Sequence, residues 1–376
     1  MRVRLFAIAA LGLLLIACAP ATDANTQPAA APTVEPAANT ITPPAPTDPP
    51  AGESAIVAEP DPTDPPPTAE DASTPRPVGE FDVFPVAPSI GPHDVAPAPD
   101  GRVWFTGQHS GDMGLLDPAT GEITRFELPA PSAPHGVIVG PDGHAWITDS
   151  GANAIVRIDP ASGEITSYPL PPDRPNANLN TAAFDGNGVL WFTGQNGVYG
   201  RLDPATGEMV VYDAPRGRGP YGITATPKGD IYYASLAGSH IAHVNTETGE
   251  ATVIEPPTPN QGARRVWSDS QGRIWVSEWN AGQLGMYDPA TGTWQEWPLP
   301  GPNPQAYAVY VDDSDIVWVT DFSSNALVSF DPQTEAFEVY PFPGNSAAVR
   351  QLLGRPGEVW GGASALNEVY VLYTGP

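Results

Sequence analysis

An internal repeat of about 43 residues constrains the fold of this chain more than any other feature of its sequence. An aromatic residue within a short apolar run recurs seven times, at spacings between 41 and 45 residues. A fixed period of this length is typical of propeller architectures, in which each repeat forms one blade. The repeated aromatic positions are Trp104, Trp146, Trp191, Tyr232, Trp275, Trp318 and Trp360.

Each repeat reads as four short strands separated by turns. In the second repeat the run Ala145 to Asp149 forms one strand and Ile155 to Asp159 the next, after the turn at Pro141, Asp142 and Gly143. Proline presets one turn position and glycine accepts a positive φ, so such segments favour tight connections. Four strands per repeat and seven repeats predict an all-β fold, a seven-bladed β-propeller of four-stranded blades.

The seventh repeat contains only three strands, because the chain ends soon after the run from Val369 to Tyr373. The segment from Glu80 to Pro85 resembles the fourth strands of other repeats, such as Thr124 to Pro129. We expect this N-terminal strand to complete the last blade, which closes the ring and removes an exposed sheet edge. The propeller is therefore predicted to span residues 80–376.

The N-terminus has the order of a secretory signal. Arg2 and Arg4 precede an apolar run from Leu5 to Ile16, which is too short to span a bilayer. Cys18 is the single cysteine and lies where a bacterial lipobox places its acylated residue. We predict a lipoprotein signal peptide over 1–18 and an extracytoplasmic protein, anchored through lipid on Cys18 to the cell membrane or the outer membrane.

Residues 19–79 are rich in proline, alanine and threonine and contain no aromatic side chain. Such a segment cannot offset its ordering entropy by burial, so it is predicted to be a disordered, semi-stiff linker. With one cysteine in the chain, the fold must be stabilised by a buried core rather than by disulfides.

The chain is strongly acidic, with 16 lysine and arginine residues against 43 aspartate and glutamate residues and a formal net charge of -27. This charge repels phosphate backbones, which excludes nucleic acid as a partner. We expect a monomer whose partner is a small molecule or a peptide.

The first two strands of each repeat predict a ring of side chains around one mouth of the central channel. If the hairpin is regular, residues equidistant from the turn lie opposite each other, as His135 would lie opposite Asp149. Polar and variable side chains among repeated apolar ones are typical of a binding face. The predicted pairs are His93 with Gly107, His135 with Asp149, Asn180 with Gly194, Tyr221 with Ser235, Arg264 with Glu278, Tyr307 with Asp321, and Val349 with Ala363.

Two interpretations of this ring remain open. His135 is a candidate acid or base and Asp149 a candidate metal ligand, with His93 beside them, because imidazole and carboxylate groups ligate metals and move protons. Alternatively, these groups form hydrogen bonds that seal a polar channel. Arg264 and Glu278 form either a structural ion pair or, through the arginine, a clamp for a substrate carboxylate. The tryptophans are predicted to pack between blades.

The repeat resembles the virginiamycin B lyase (streptogramin lyase) family. The shared patterns are Pro134-His135-Gly136-Val137, Trp104-Phe105-Thr106, Trp191-Phe192-Thr193, the run Ile274 to Asn280, the run Asn153 to Ile158, and Tyr168-Pro169-Leu170-Pro171. The resemblance covers all seven repeats and implies a propeller. It also implies a lyase that opens a cyclic depsipeptide ester with a divalent ion, usually Mg²⁺.

In that family, critical histidines begin the last two blades and an acid precedes the final one by two residues. The corresponding positions here carry Tyr307, Val349 and Ala347, so the resemblance implies ancestry more firmly than activity. The leading hypothesis is a ligand-binding propeller. The alternatives are a Mg²⁺-dependent lyase with His135 as base, a lactone hydrolase of the six-bladed gluconolactonase type, and a scaffold for protein contacts.

Overall fold

The computed structural model describes residues 77–375, and these residues form strands and connecting loops. The predicted signal peptide, the lipidated Cys18 and nearly all of the predicted linker lie outside the described residues. Within residues 77–375 there is no helix long and apolar enough to cross a membrane.

The described chain contains 28 β-strands in seven four-stranded sheets. The innermost strands are β2 (Pro92–Pro97), β6 (Pro134–Val139), β10 (Leu179–Phe184), β14 (Pro220–Ala225), β18 (Ala263–Ser268), β22 (Ala306–Val311) and β26 (Val349–Arg355). The second strands are β3 (Val103–Gly107), β7 (Ala145–Asp149), β11 (Leu190–Gly194), β15 (Ile231–Ser235), β19 (Ile274–Glu278), β23 (Val317–Asp321) and β27 (Glu358–Ala363).

The outer half of each blade contains two further antiparallel strands. The third strands are β4 (Asp112–Leu116), β8 (Ala154–Ile158), β12 (Val198–Leu202), β16 (His240–Val244), β20 (Gln283–Asp288), β24 (Ala326–Asp331) and β28 (Glu368–Tyr373). The outermost strands are β5 (Ile123–Glu127), β9 (Ile165–Pro169), β13 (Met209–Asp213), β17 (Ala251–Ile254), β21 (Thr293–Pro298), β25 (Ala336–Pro341) and, in the last blade, β1 (Phe81–Pro85).

The ring closes as the sequence predicts. In the last sheet the strand order is β1-β28-β27-β26, and Phe81 pairs with Leu372 in an antiparallel register. Phe81 packs 5.5 Å from Phe342 of the preceding blade, measured between ring centroids. The seven-bladed β-propeller of four-stranded blades, completed by the N-terminal strand, is confirmed.

The repeated aromatic residues of the second strands form the core, as predicted. Trp104, Trp191, Trp275 and Trp360 are completely buried between blades. Several of the indole N–H groups donate to a carboxylate in or near the turn before the strand, for example Trp191 to Asp185 at 2.9 Å. This bond satisfies the one polar atom of a buried indole and fixes the turn against the core.

A threonine or serine two residues after the tryptophan connects neighbouring blades. The Thr148 hydroxyl donates to the Asn180 carbonyl of the next blade at 2.6 Å and accepts from Gly136 N–H of its own blade at 3.0 Å. Thr106 makes the same pair of bonds, to the His135 carbonyl and from Asp94 N–H. These hydroxyl groups therefore hold successive inner strands in register around the channel.

The predicted cross-strand pairs are wrong in six of the seven blades, because every inner hairpin contains an irregular register between its first residue and the next pairs. Asp149 lies opposite Pro134 rather than His135, and Glu278 lies opposite Ala263 rather than Arg264. A β-bulge places two residues opposite one and re-aims the side chains next to it. Only Val349 with Ala363 pairs as predicted.

Candidate functional site

The bulge brings two consecutive residues of each inner strand to the channel. One layer consists of His93, His135, Asn180, Tyr221, Arg264, Tyr307 and Arg350, and the second consists of the residues that follow them, of which Asp94, Arg265 and Gln351 are the largest polar members. Val349 pairs with Ala363 as Pro92 pairs with Gly107, so Arg350 is the member of the first layer in the last blade. The ring residue of the last blade is therefore Arg350, one residue after the predicted Val349.

An ion pair crosses the channel between the first and fifth blades. Arg265 Nη2 lies 3.3 Å from Asp94 Oδ1, and both side chains are almost completely buried. His93 Nδ1 donates to the same carboxylate oxygen at 2.7 Å. Burial opposes the charge on Asp94, but Arg265 and His93 outweigh it and lower the pKa of this carboxyl group. The Asp94 side chain is thus an ionised centre that ties opposite sides of the ring together.

The two predicted histidines do come together. The rings of His93 and His135 lie 4.2 Å apart between centroids. His135 Nδ1 donates to the Asn180 carbonyl at 3.0 Å, and the Asn180 amide reaches His135 Nε2 at 3.3 Å. Burial lowers the pKa of both imidazoles, that of His135 further because His93 is beside it. Both rings are therefore neutral near pH 7.

His93, Asp94 and His135 have ligand atoms within 4.8 Å of one another, a spacing at which three groups could hold a metal ion. Two neutral imidazoles and a carboxylate suit a transition ion better than Mg²⁺, which prefers oxygen ligands. The Arg265 guanidinium, however, already pairs with Asp94 Oδ1 and repels a second cation at this carboxylate, whose Oδ2 is buried without a hydrogen-bond partner among residues 77–375. These residues consequently do not fit a bound divalent ion while Arg265 is in place.

Asp149, the predicted metal ligand, lies outside this cluster. Its carboxylate accepts hydrogen bonds from the backbone N–H groups of Ala133, Gly151 and Ala152 and from the Ser132 hydroxyl. Asp321 makes the equivalent bond to Gln305 N–H at 2.7 Å. Both aspartates order loops at the end of a blade, and the prediction that Asp149 joins the histidines is wrong because the bulge separates them.

Arg264 forms no ion pair with Glu278. Its guanidinium carbon lies 3.5 Å from the ring centroid of Tyr307, 4.6 Å from that of Trp279 and 4.9 Å from that of Tyr221. Arg264 also donates to the Tyr221 hydroxyl at 3.2 Å, and this hydroxyl bonds that of Tyr307 at 2.7 Å. Cation–π contact thus holds the guanidinium without neutralising its charge.

Glu278 turns away from the channel into its own blade. Its Oε2 accepts from Gln283 Nε2 at 2.6 Å, whereas its Oε1 is buried with no hydrogen-bond partner among the described residues. Burial raises the pKa of Glu278 to about 8. At neutral pH this side chain is therefore an uncharged acid.

The channel itself is filled by side chains. His93, His135, Asn180, Tyr221 and Tyr307 expose at most 5% of their surface. On the side of the Asp94–Arg265 pair where Val266 and Leu352 lie, a cavity of about 30 Å³ is lined by residues from all seven blades. A space of this volume has room for a water molecule or two. The interpretation of a sealed polar channel therefore describes these residues best.

We call the buried side chains that fill the channel the plug: His93, His135, Asn180, Tyr221 and Tyr307. The accessible part of the site lies beside this plug. Arg264, Trp279, Phe322 and Arg350 are half-buried rather than buried. Phe322 stacks on Tyr307 at 4.6 Å and meets Trp279 edge-on at 5.5 Å, and the Arg350 guanidinium lies 5.8 Å from the Phe322 ring. We call these four residues the mouth cluster. They present two cations and two aromatic rings to solvent.

Reasoning from the sequence missed Asp94, Arg265, Trp279, Phe322 and Arg350. A signal for the first two was present, since each directly follows a predicted ring residue and is itself charged within an apolar strand. Trp279 and Phe322 each follow the last residue of a second strand, Glu278 and Asp321. No periodic pattern marked them, because the other repeats carry no aromatic residue at this position: it is occupied there by Gln108, Ser150, Gln195, Leu236 and Ser364.

The fold is a seven-bladed β-propeller, and its candidate functional site lies at one end of the central channel. A family model described as the virginiamycin B lyase family matches residues 69–330. The chain belongs to the virginiamycin B lyase family. No curated protein matches its sequence significantly.

Solved structures share this architecture. A streptogramin B lyase is 25% identical with a TM-score of 0.72, and the match covers 78% of this chain and 96% of that one. A second match is a catalytically inactive histidine-to-alanine variant of virginiamycin B lyase from Staphylococcus aureus with quinupristin. It is 24% identical with a TM-score of 0.72, and the match covers 78% of this chain and 99% of that one. The extracellular domain of a hybrid two-component system from B. thetaiotaomicron is 14% identical with a TM-score of 0.62. This match covers 78% of this chain and 39% of that one.

Proposed function

We propose that this protein is a recognition propeller that binds a small molecule or a peptide at the channel mouth. The observation that carries the proposal is the mouth cluster, in which Arg264, Trp279, Phe322 and Arg350 are half-buried beside a filled channel. Arginine and tryptophan dominate binding hot spots because they offer large contact areas and directional donors. A ligand would lie on this face rather than enter the channel.

The residues beneath the mouth cluster support binding by holding it in one arrangement. Tyr221 and Tyr307 fix Arg264 through ring contacts and a hydrogen bond, and Tyr307 stacks on Phe322. A preorganised site loses little side-chain entropy when its ligand binds. His93, His135 and Asn180 lie deeper in the plug, so we assign them to its structure rather than to direct ligand contact.

Two observations favour recognition over the elimination reaction that the family resemblance implies. The ring positions of the last two blades carry Tyr307 and Arg350, neither of which is a general base at neutral pH: burial, followed by Tyr221, raises the pKa of Tyr307. The histidine pair of the first two blades is buried and adjoins Arg265, which opposes a metal ion. Ligand binding without depsipeptide cleavage accounts for both features.

A Mg²⁺-dependent lyase with His135 as base remains the second candidate, since the cluster of His93, Asp94 and His135 has metal-ligand spacing. Opening of a streptogramin B ester in the presence of Mg²⁺, abolished in His135→Ala, would establish it. Seven sheets argue against the six-bladed lactone hydrolase. Exposed large apolar side chains among residues 77–375 are limited to Val78, Val83 and Val339, which offers little surface for a protein scaffold.

The proposed location is the outer surface of a bacterial membrane, through lipid on Cys18. Two features support it: the lipobox-like N-terminus, and similarity to extracellular domains of bacterial sensor systems. Metabolic labelling with a palmitate analogue tests this proposal. Label incorporated into the full chain but not into Cys18→Ser is the expected result, and a chain that is released unlabelled would contradict it.

The binding proposal is tested with a panel of short peptides and cyclic peptides, including a streptogramin B, in a thermal-shift assay. Hits should lose their effect in Trp279→Ala. Trp294→Ala is the matched control, because Trp294 is also half-buried but lies on the outermost strand β21, against Tyr287. Equal loss in both variants, or retention in Trp279→Ala, would place binding elsewhere.

A further inference from the structure

Among residues 77–375, neither arginine of the mouth cluster has a carboxylate partner, although the chain carries far more acidic than basic groups. Arg264 donates to the Tyr221 hydroxyl at 3.2 Å, and its Nε is buried with no hydrogen-bond partner in residues 77–375. Arg350 donates to the Ala348 carbonyl at 3.2 Å and to the Ser364 hydroxyl. Both guanidinium groups therefore retain a full positive charge and unused donor capacity.

This pattern differs from that of most arginines in the fold. Eight arginines of the described residues form ion pairs with aspartate or glutamate: Arg102, Arg125, Arg157, Arg174, Arg216, Arg265, Arg273 and Arg355. The pairs of Arg174 and Arg216 are exposed at the surface. Acidic side chains thus pair with most other arginines of residues 77–375 but with neither arginine of the mouth cluster.

The positive potential acts on neighbouring groups. Burial alone would raise the pKa of Tyr221, yet Arg264 and Arg265 lower it below its usual value. Arg265 and Arg350 likewise lower the pKa of His93, in addition to the larger effect of burial. The mouth is therefore a local region of positive potential in a protein whose net charge is -27.

The surroundings of Arg264 restrict the shape of its ligand. The guanidinium carbon lies within 5 Å of three aromatic ring centroids, so its orientation is fixed. Because Nε is buried, the two terminal nitrogens of this fixed guanidinium are the planar pair of donors that matches the two oxygens of a carboxylate. Trp279 and Phe322 lie beside it and offer ring faces or edges to an apolar group.

We infer that the ligand of the mouth cluster is an organic carboxylate with an aromatic or apolar group next to the charge, such as the C-terminus of a peptide that ends in an aromatic residue. Arg264 anchors the carboxylate, Arg350 strengthens the field that attracts it, and Trp279 and Phe322 contact the apolar part. This inference rests on the proposed function and specifies its ligand.

The test uses a matched pair of probes, N-acetyl-L-phenylalanine and N-acetyl-L-phenylalanine amide, which differ only in the charge of the terminal group. Binding to the purified full chain is followed by ligand-observed NMR at low salt. The acid should bind at least tenfold more tightly than the amide, and the preference should shrink as salt increases, because screening weakens charge interactions. Phenyl phosphate in a third arm distinguishes a carboxylate site from a general anion site.

The variants Arg264→Gln and Arg350→Gln should each reduce the preference for the acid, the first to nearly equal binding of acid and amide. Arg174→Gln is the control, since Arg174 pairs with Asp213 at the surface. Circular dichroism and the melting temperature establish that each variant is folded. If Arg264→Gln does not fold, Arg350→Gln tests the inference by itself.

Each outcome decides the inference. Equal binding of acid and amide by the unmodified chain would overturn the carboxylate assignment and leave the recognition proposal intact. An acid preference that survives in both variants would also overturn it, as would the absence of binding by either probe or tighter binding of phenyl phosphate than of the acid. The recognition proposal fails separately, when no member of the peptide panel depends on Trp279.

Discussion

Asp94 in the first blade pairs with Arg265 in the fifth blade, with 3.3 Å between Oδ1 and Nη2 across the channel. Blades of a propeller otherwise contact mainly their two neighbours, so this bond joins parts of the ring that the sheets do not connect directly. The pair is buried and also contacts His93. It stabilises the plug beneath the mouth cluster and fixes the distance between opposite sides of the ring.

The first prediction concerns this pair. Arg265→Met should lower the free energy of unfolding by about 3–5 kcal/mol, because it leaves the Asp94 carboxylate buried without a counter-ion. The double variant with Asp94→Asn should recover most of the loss, since it removes the unpaired charge. Urea unfolding of the propeller measures both, and equal stabilities of the single and double variants would contradict the prediction.

The second prediction concerns metals. Calorimetric titration of the unmodified protein should detect no tight binding of Mg²⁺, Mn²⁺, Ca²⁺ or Zn²⁺, because the Arg265 guanidinium beside Asp94 repels a second cation at this carboxylate. Arg265→Met should bind Zn²⁺ and gain thermal stability from it, through His93 and His135 with the released carboxylate. Tight Mg²⁺ binding by the unmodified protein that is lost in His135→Ala would instead favour the Mg²⁺-dependent lyase over the recognition propeller.

Sequence reasoning predicts the blades of this fold well because their signals are local. The turn at Pro141, Asp142 and Gly143, the short apolar run of each strand and the recurring tryptophan define four strands and their order. The closing strand follows from a count, since the last repeat lacks a fourth strand and the segment from Phe81 supplies one.

The side chains that face the channel are harder to predict because one extra residue changes which of them meet. Equidistance from the turn assumes a regular ladder, and the bulge after Pro134 breaks it without changing the apolar pattern on either side. Equidistance therefore places Asp149 opposite His135 and does not assign Asp94 to the channel. The pairing of Asp94 with Arg265 joins residues 171 positions apart, and no local pattern encodes it.

The third prediction tests the hydroxyl groups between blades. Thr148→Val removes a donor to the Asn180 carbonyl and an acceptor for Gly136 N–H while keeping the side-chain shape. The buried groups lose their partner, so the free energy of unfolding should fall by about 1–3 kcal/mol. Thr252→Val on the exposed outer strand β17 is the control and should change stability by less than about 0.5 kcal/mol. Similar losses of unfolding free energy in the two variants would show that the Thr148 hydroxyl does not stabilise the contact between blades.

The fourth prediction tests ring closure. A chain that begins at residue 77 should remain monomeric, whereas one that begins at Val86 lacks β1 and exposes the edge of β28. Unpaired edges recruit other chains, so the shorter protein should associate or aggregate and unfold at a lower temperature. Size-exclusion chromatography with light scattering measures this, and Phe81→Ala, which keeps the strand but removes its packing on Phe342, should show lower stability without association.

The fifth prediction concerns Glu278, whose pKa burial raises to about 8. In the unfolded chain its pKa is near the ordinary value of about 4.3. Between these values the folded protein binds one proton more than the unfolded chain, so stability falls as pH rises through this range. The contribution of the protonated acid is complete below about pH 4.3 and is lost progressively up to pH 8. Glu278→Gln removes this dependence and retains an acceptor for Gln283.

The two proteins should therefore diverge with pH. Relative to Glu278→Gln, the unmodified protein should lose stability by up to about 1.4 kcal/mol per pH unit between pH 5 and pH 8, so the variant should be the more stable of the two at pH 8. Urea unfolding at half-unit intervals gives both curves. Parallel curves would mean that Glu278 is ionised in the folded state and that a counter-ion, with Arg264 the first to examine, lies closer than the structure places it.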